Sequence, residues 1–227
     1  MPPKHVAIVT CSTRTPRLNP TITQYIYDVL ASDPTIPTRK ATSPSNTDIS
    51  PDTDPRHITL SILDLAAQSL PLYDENVIPA SLPPTDPTPH YSKEHTRAWS
   101  KVVRQYDAFI FVTPQYNWSI PASLKNALDY LYFEWRGKPA AIVSYGSRGG
   151  GKAAEHLRGV LNGLKMQVVG TSVGLPVKFT GLPVGNLSEV EERVEIDERD
   201  LEGWKEAGVE GMMKNLGMEL VCELDKA

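Results

Sequence analysis

Five short runs rich in β-branched and aromatic residues recur along this chain, "HVAIVT", "HITLSILDL", "DAFIFVT", "PAAIVSY" and "MQVVGTSV", and each is followed by a segment with helical patterning. A chain that alternates strand and helix in this way has few folds open to it. Strands buried on both faces read as near-continuous apolar runs, as "DAFIFVT" does, and the intervening helices supply right-handed crossovers between parallel neighbours. The expected fold is α/β: a three-layer sandwich around a five-stranded parallel sheet of order 2-1-3-4-5. The helical segments are "NPTITQYIYDVLA", "SKEHTRAWSKVVRQ", "SIPASLKNALDYLYF", "GKAAEHLRGVLNGL" and "DERDLEGWKEAGVEGMMKNLG". The first is expected to take Asn19 as N-cap and Pro20 at the next position. Ligands of such sheets sit beyond the carboxyl ends of the strands, where the strand order reverses between strands 1 and 3. The residues that follow strands 1, 3 and 4 therefore carry the functional information.

At 227 residues the chain is expected to form one domain spanning 1–227. One insertion interrupts it. The stretch from Asp33 to Arg56 is rich in Pro, Ser, Thr and Asp and is read as a mobile loop. A second Pro-rich stretch, Pro79 to His90, is expected to be extended and partly ordered. A net charge of −4 with scattered basic residues gives no reason to expect a nucleic-acid partner. No apolar run is long enough for a membrane span, and the start lacks a secretory apolar core. Two cysteines, Cys11 and Cys222, fit reduced thiols, so the expected setting is the cytoplasm.

The loop after strand 1, "CSTRTPRLNP", joins hydroxyls (Ser12, Thr13, Thr15) to cations (Arg14, Arg17) just before a helix start. Backbone N–H groups and the positive end of a helix would complete a phosphate site there; an ordinary polar loop is the other reading. After strand 3 comes "TPQYNWSIP". Pro114 stiffens the backbone, Tyr116 and Trp118 offer flat apolar faces, and Asn117 carries a donor and an acceptor. That combination suits a flat heteroaromatic ligand with a polar edge, or helix-entrance packing. After strand 4, the glycines of "SYGSRGGGK" permit positive φ and close backbone approach.

Gly146 to Lys152 also satisfies G-x-x-x-x-G-K, the phosphate loop of nucleotide hydrolases. Ala153 stands where that motif needs a hydroxyl for Mg²⁺, and the run follows strand 4 rather than strand 1. The hydrolase reading is set aside. The five histidines show no metal spacing. Aromatic residues at helical spacing, Tyr25 with Val29 and Tyr130 with Phe133, read as core or subunit contacts.

Taken together, these stretches resemble the NAD(P)H-dependent FMN reductases, a flavodoxin-like group that includes quinone reductases. "TPQYNWSIPASLKNALDYL" is similar to the family's "PEYNGSIPGxLKNAID". "CSTRTPRLNP" is similar to "GSxRxxSxN", "DLAAQSLPLYDEN" to "DLxxLPLYDED", and "SYGSRGGGKAAEHLRGVL" to "SxGxxGGxxAxxxLRxVL". The resemblance runs from about His5 to Val173. It implies FMN as cofactor and NADPH or NADH as co-substrate. Ser12, Arg14 and Asn19 would hold the phosphate. Pro114, Gln115, Tyr116 and Asn117 would line the isoalloxazine, with Ser144, Tyr145 and Gly146 on its other side. Lys125, Asn126 and Asp129 would serve helix packing and subunit contact, and the working unit would be a homodimer.

The chain departs from the pattern at four places. Cys11 and Trp118 replace glycines, Gln115 replaces a glutamate, and Arg17 replaces a serine. Cys11 could bring a thiol near the phosphate. Arg17 either adds charge to the phosphate site or faces water. Trp118 could stack on substrate, narrow the pocket or pack across a dimer. Arg148 is a candidate for a pyridine-nucleotide phosphate or an ordinary loop arginine. The implied activity passes hydride from NAD(P)H through FMN to quinones or similar small-molecule electron acceptors, with no protein nucleophile. The alternatives are a flavodoxin-type electron carrier and a flavin-dependent redox-sensing interaction protein.

Overall fold

The computed structural model describes residues 4–38, 58–181 and 194–226. Strand β1 (Lys4–Thr10) leads to helix α1 (Asn19–Ser32), followed by β2 (Ile58–Asp64). Helix α2 (Glu94–Val103), β3 (Ala108–Pro114), α3 (Ala122–Asp129), β4 (Pro139–Gly146), α4 (Gly151–Gly163) and β5 (Gln167–Pro176) follow. Two helices close the described chain, α5 (Glu198–Glu206) and α6 (Val209–Leu224). The strands form one five-stranded sheet of order β2-β1-β3-β4-β5. All four pairings are parallel. The expected fold and strand order are both observed.

Alternation along the strands divides the core into two layers. Val6 and Ile8 of β1 face one side, where Ile22 and Ile26 of α1, Trp204 of α5, and Met213 and Leu216 of α6 cover the sheet. Ala7 and Val9 face the other, against Trp99 of α2, Leu124 and Leu128 of α3, and Leu157 and Leu161 of α4. Phe109, Phe111 and Trp135 fill the second layer as a packed aromatic group, with Trp135 edge-on to Phe109. Tyr25 packs on Trp204 at 5.4 Å and Val29 is buried, so of the two roles expected for this face, core or subunit contact, the core packing is observed.

Three expectations about elements need correction. The closing segment is not one helix: Gly208 takes a left-handed conformation (φ 68°) and divides it into α5 and α6. Helix α3 stops at Asp129, short of the expected Phe133. The insertion does not begin as a mobile loop at Asp33. Asp33 is buried and its carboxylate accepts the Thr35 N–H at 2.8 Å. Ile36 packs in the core, and Thr38 bridges to Ile58. The rest of that insertion, 39–56, lies outside the described residues. The second Pro-rich stretch forms short 3₁₀ turns at Pro79–Ser81 and Thr88–His90.

Candidate flavin-binding cleft

The three corners picked out in the sequence meet at the carboxyl ends of β1, β3 and β4. The hydroxyl of Ser12 lies 2.8 Å from the Tyr116 hydroxyl, joining the loop after β1 to the loop after β3. The Gln115 N–H donates to the Tyr145 carbonyl at 2.9 Å, joining the β3 loop to the end of β4. Between them opens a cleft of about 210 Å³, lined on these three sides by residues that include Arg14, Pro114, Gln115, Tyr116, Tyr145 and Gly146.

Each corner has its own means of holding shape. In the first, Asn19 is not the N-cap of α1; that position falls to Leu18, which makes no side-chain cap. Instead the Asn19 Oδ1 accepts the Ser12 N–H at 2.7 Å, and its Nδ2 donates to the Val112 carbonyl at 3.1 Å. A carboxamide with both a donor and an acceptor can bridge two backbones in this way. Ser12 and Asn19 are fully buried, so they shape the loop from behind. Arg14 is exposed and its guanidinium makes no hydrogen bond or ion pair with any described residue, leaving it available to an anion. The Cys11 thiol turns into the core instead of toward the cleft, and burial pushes its pKa up. Arg17 does not face water: it borders the cleft, with its guanidinium shared with a carboxylate. It is buried and forms a two-point pair with Asp64 at 2.6 and 2.7 Å.

In the second corner, Tyr116 and Ser119 exchange both backbone hydrogen bonds at 2.9 Å. The two residues between them, Asn117 and Trp118, have φ of 46° and 66°. This is a two-residue hairpin loop of the type that needs positive φ at both centres and favours Asn-Gly. Asn supplies the first centre at low cost; Trp at the second is unusual. Trp118 is 66% exposed and Asn117 is exposed too, and neither is among the residues that line the cleft. Gln115 turns its side-chain oxygen onto the Lys152 N–H at 3.0 Å, capping the start of α4.

The third corner depends on backbone proximity. A Cβ built at Gly150 would stand 2.7 Å from the Tyr145 carbonyl oxygen and 2.8 Å from its nitrogen. Ser144 is buried, and its hydroxyl donates to the Gly149 carbonyl at 2.8 Å. It therefore braces the glycine turn and does not line the cleft, whereas Tyr145 and Gly146 do. Burial, with Tyr116 nearby, pushes the Tyr145 phenol well up, keeping it a neutral face. Lys152 pairs with Glu155 at 2.8 Å, an arrangement unlike a phosphate-loop lysine.

A fourth wall was missed in the sequence. Val177 and Thr180 line the cleft from beyond β5, and Val177 is tied by its N–H to the Gly146 carbonyl at 2.9 Å. Asp200 of α5 holds this segment. Its carboxylate accepts the N–H groups of Lys178 and Thr180 at 2.9 and 2.8 Å, and the Thr180 hydroxyl at 2.7 Å. Burial would raise the Asp200 pKa, but these hydrogen bonds outweigh it and hold it down. No local pattern announces a carboxylate acting on a segment 20 residues away.

The donor set fits a phosphorylated flavin. One end presents Arg14 and the start of α1, whose N-terminal dipole favours an anion. Thr13 and Thr15 flank Arg14 in the chain, and their N–H groups make no hydrogen bond to any described residue. The other end presents a flat wall of Tyr116, Tyr145 and glycine backbone. Among the described residues, no group of His, Cys, Asp or Glu could hold a metal ion.

The profile of the NADPH-dependent FMN reductases matches residues 4–180. The chain belongs to that family. An NAD(P)H-dependent FMN reductase of Nectria sp. is 37% identical over 204 residues, covering 89% of this chain and 88% of that protein. One of Saccharomyces cerevisiae is 48% identical over 129 residues, covering 56% of this chain and 66% of the yeast protein. A quinone reductase of Pseudomonas putida is 38% identical over 108 residues, covering 45% of this chain and 52% of its own. Among solved structures, the flavoenzyme NAD(P)H:(acceptor) oxidoreductase of Paracoccus denitrificans shares the fold. Its TM-score is 0.56 at 20% identity, with 98% of each chain covered. This chain is accordingly an oxidoreductase that works with FMN and NAD(P)H.

The other residues singled out by the resemblance have structural work. Asn126 donates to the Pro71 carbonyl and accepts the Tyr73 N–H, fastening the segment that precedes α2. Tyr130, singled out by helical spacing instead, is buried in the core, and its hydroxyl donates to Asp74 at 3.1 Å. Lys125 and Asp129 pair with each other along α3.

Proposed function

We propose that this chain passes reducing equivalents from NAD(P)H, through FMN held in the cleft, to quinones or similar small acceptors. The observation that carries the reading is the junction of Ser12 with Tyr116, which turns separate loops into one slot with a cationic end and a flat end. FMN supplies the hydride-accepting ring when bound. The protein's part is positioning. Arg14 and the α1 start take the phosphate, with Ser12 and Asn19 fixing the loop that presents them. Pro114, Gln115 and Tyr116 form one side of the ring site, with Asn117 at its edge through the hairpin. Tyr145 and Gly146 form the other, braced by Ser144. A quinone acceptor is supported by the likeness to the Pseudomonas putida quinone reductase.

A homodimer completes this reading. It is supported by the apolar exposure of Trp118 beside a hollow of about 700 Å³ between α3 and α4, lined by Ile120 and Val160 among others. A single domain in a reducing cytoplasm is also part of it, supported by free thiols at Cys11 and Cys222.

The test is spectroscopic. The purified protein is expected to retain FMN, to bleach on anaerobic addition of NADPH or NADH, and to recover its bands when a quinone is added. Bleaching that is absent with both nucleotides would favour an electron carrier. Arg14→Ala is expected to weaken FMN binding about tenfold, the scale of one charge-assisted phosphate contact; affinity equal to the parent would remove Arg14 from the site.

A further inference from the structure

We propose that the pair formed by Arg17 and Asp64 is a positioning device for the phosphate end of the cleft: it sets the loop that presents Arg14 without itself serving as the phosphate ligand. The inference rests on the flavin reading above. Asp64 is the last residue of β2, on the far side of β1 from the ring site. Arg17 Nη1 and Nη2 donate to its two carboxylate oxygens at 2.7 and 2.6 Å. The same Nη1 donates to the Ser12 carbonyl at 2.8 Å. The Asp64 carboxylate is anchored in turn by the Ala66 N–H at 3.0 Å.

Ser12 is thus gripped from four directions. Arg17 holds its carbonyl and Asn19 holds its N–H. Its hydroxyl meets the Tyr116 hydroxyl and accepts the Arg14 N–H at 3.3 Å. Removing one grip lets the Ser12 peptide rotate, and the peptide that follows carries Arg14. A guanidinium is suited to this place because its planar fork satisfies a carboxylate at two points while a third bond reaches a carbonyl. A lysine ammonium would keep the charge and lose that geometry. The pair also neutralises the Asp64 carboxylate, whose charge would otherwise oppose an anion at the loop.

The experiment compares the affinity of the apoprotein for FMN and for riboflavin, which lacks the phosphate, in the parent and in Asp64→Asn, Asp64→Glu and Arg17→Lys. The parent is expected to prefer FMN. Asp64→Asn and Arg17→Lys are expected to lower that preference about tenfold with riboflavin affinity unchanged, and Asp64→Glu to restore part of it. Unchanged riboflavin affinity shows that the fold and the ring site are intact, so a general loss of structure cannot imitate the result. If Arg17 were a direct phosphate ligand restrained by Asp64, Asp64→Asn would raise FMN affinity and Arg17→Lys would keep most of the preference. Either of those outcomes, or variants indistinguishable from the parent, overturns the positioning role. Should Asp64→Asn fail to fold, Asp64→Glu and Arg17→Lys decide. A parent that binds neither flavin, or binds both alike, defeats the flavin reading instead, and the two failures remain separable.

Discussion

Three consecutive glycines show how finely position decides tolerance. Gly150 has φ of 74°, and an added Cβ would lie under 3 Å from two Tyr145 backbone atoms. Because both neighbours are backbone, relief requires moving the end of β4. Gly149 also has positive φ (80°), but its Cβ would meet the Gly174 backbone at 3.3 Å, a tight contact that small shifts can absorb. Gly151 opens α4 and has nothing within 4 Å of the added atom. Alanine at Gly150 is therefore expected to destabilise by about 3 kcal/mol or more and to abolish flavin binding through Tyr145 and Gly146. At Gly149 the cost is expected to be about 1–2 kcal/mol. At Gly151 alanine is expected to be neutral or to stabilise by about 0.5 kcal/mol, as in a helix. Denaturant unfolding of the three variants checks the order. Equal losses at all three would mean that the turn does not approach Tyr145 as described.

Among the elements, α2 depends on a residue far from it in sequence. Its N-cap residue, Lys93, makes no side-chain cap, and Glu75 fixes the two residues that lead into the helix. The Glu75 carboxylate accepts the N–H groups of Ser92 and Lys93 at 3.0 and 3.2 Å, and the Ser92 hydroxyl as well. Burial would raise its pKa, but those bonds dominate and hold it to about 2, below the ordinary 4.5. A carboxyl depressed on folding contributes stability that is complete above the unfolded value and is lost as pH falls toward the folded one. The window is thus pH 4.5 down to about 2, and the gap is worth about 3 kcal/mol at 1.36 kcal/mol per pH unit. Glu75→Gln is expected to lose about that much at neutral pH and to flatten the stability profile across the window, as read from urea midpoints at several pH values. A variant whose acid limb matches the parent's would assign the titration elsewhere. The same contrast explains what could be read beforehand. Strands, their order and the three corners follow from local pattern and chain order. Glu75 acting 18 residues away, Asp64 acting 47 away and Asp200 acting 20 away depend on folded proximity that no window of sequence displays. Asn19 is instructive: its importance was legible, but its expected capping geometry gave way to a bridge between Ser12 and Val112.

For the molecule as a whole, the cleft is where otherwise separate units are joined. Its walls come from the ends of β1, β3 and β4 and from the segment after β5, and these are tethered to β2 through Asp64, to α4 through Gln115 and to α5 through Asp200. A ligand spanning the cleft closes that circuit, and one that binds only the folded chain stabilises it in proportion to the logarithm of its concentration. A hundredfold excess over Kd is worth about 2.7 kcal/mol, which for a chain of this size corresponds to roughly 5 to 10 °C in Tm. FMN is therefore expected to raise the midpoint of thermal unfolding progressively with concentration. Arg14→Ala should need about ten times more FMN for the same shift, because its loss weakens the ligand's grip without touching the unliganded fold. Scanning calorimetry of the apoprotein across an FMN series measures both. A midpoint that stays level across the series, in protein that unfolds cooperatively, would mean that the three corners touch one another without enclosing the cofactor.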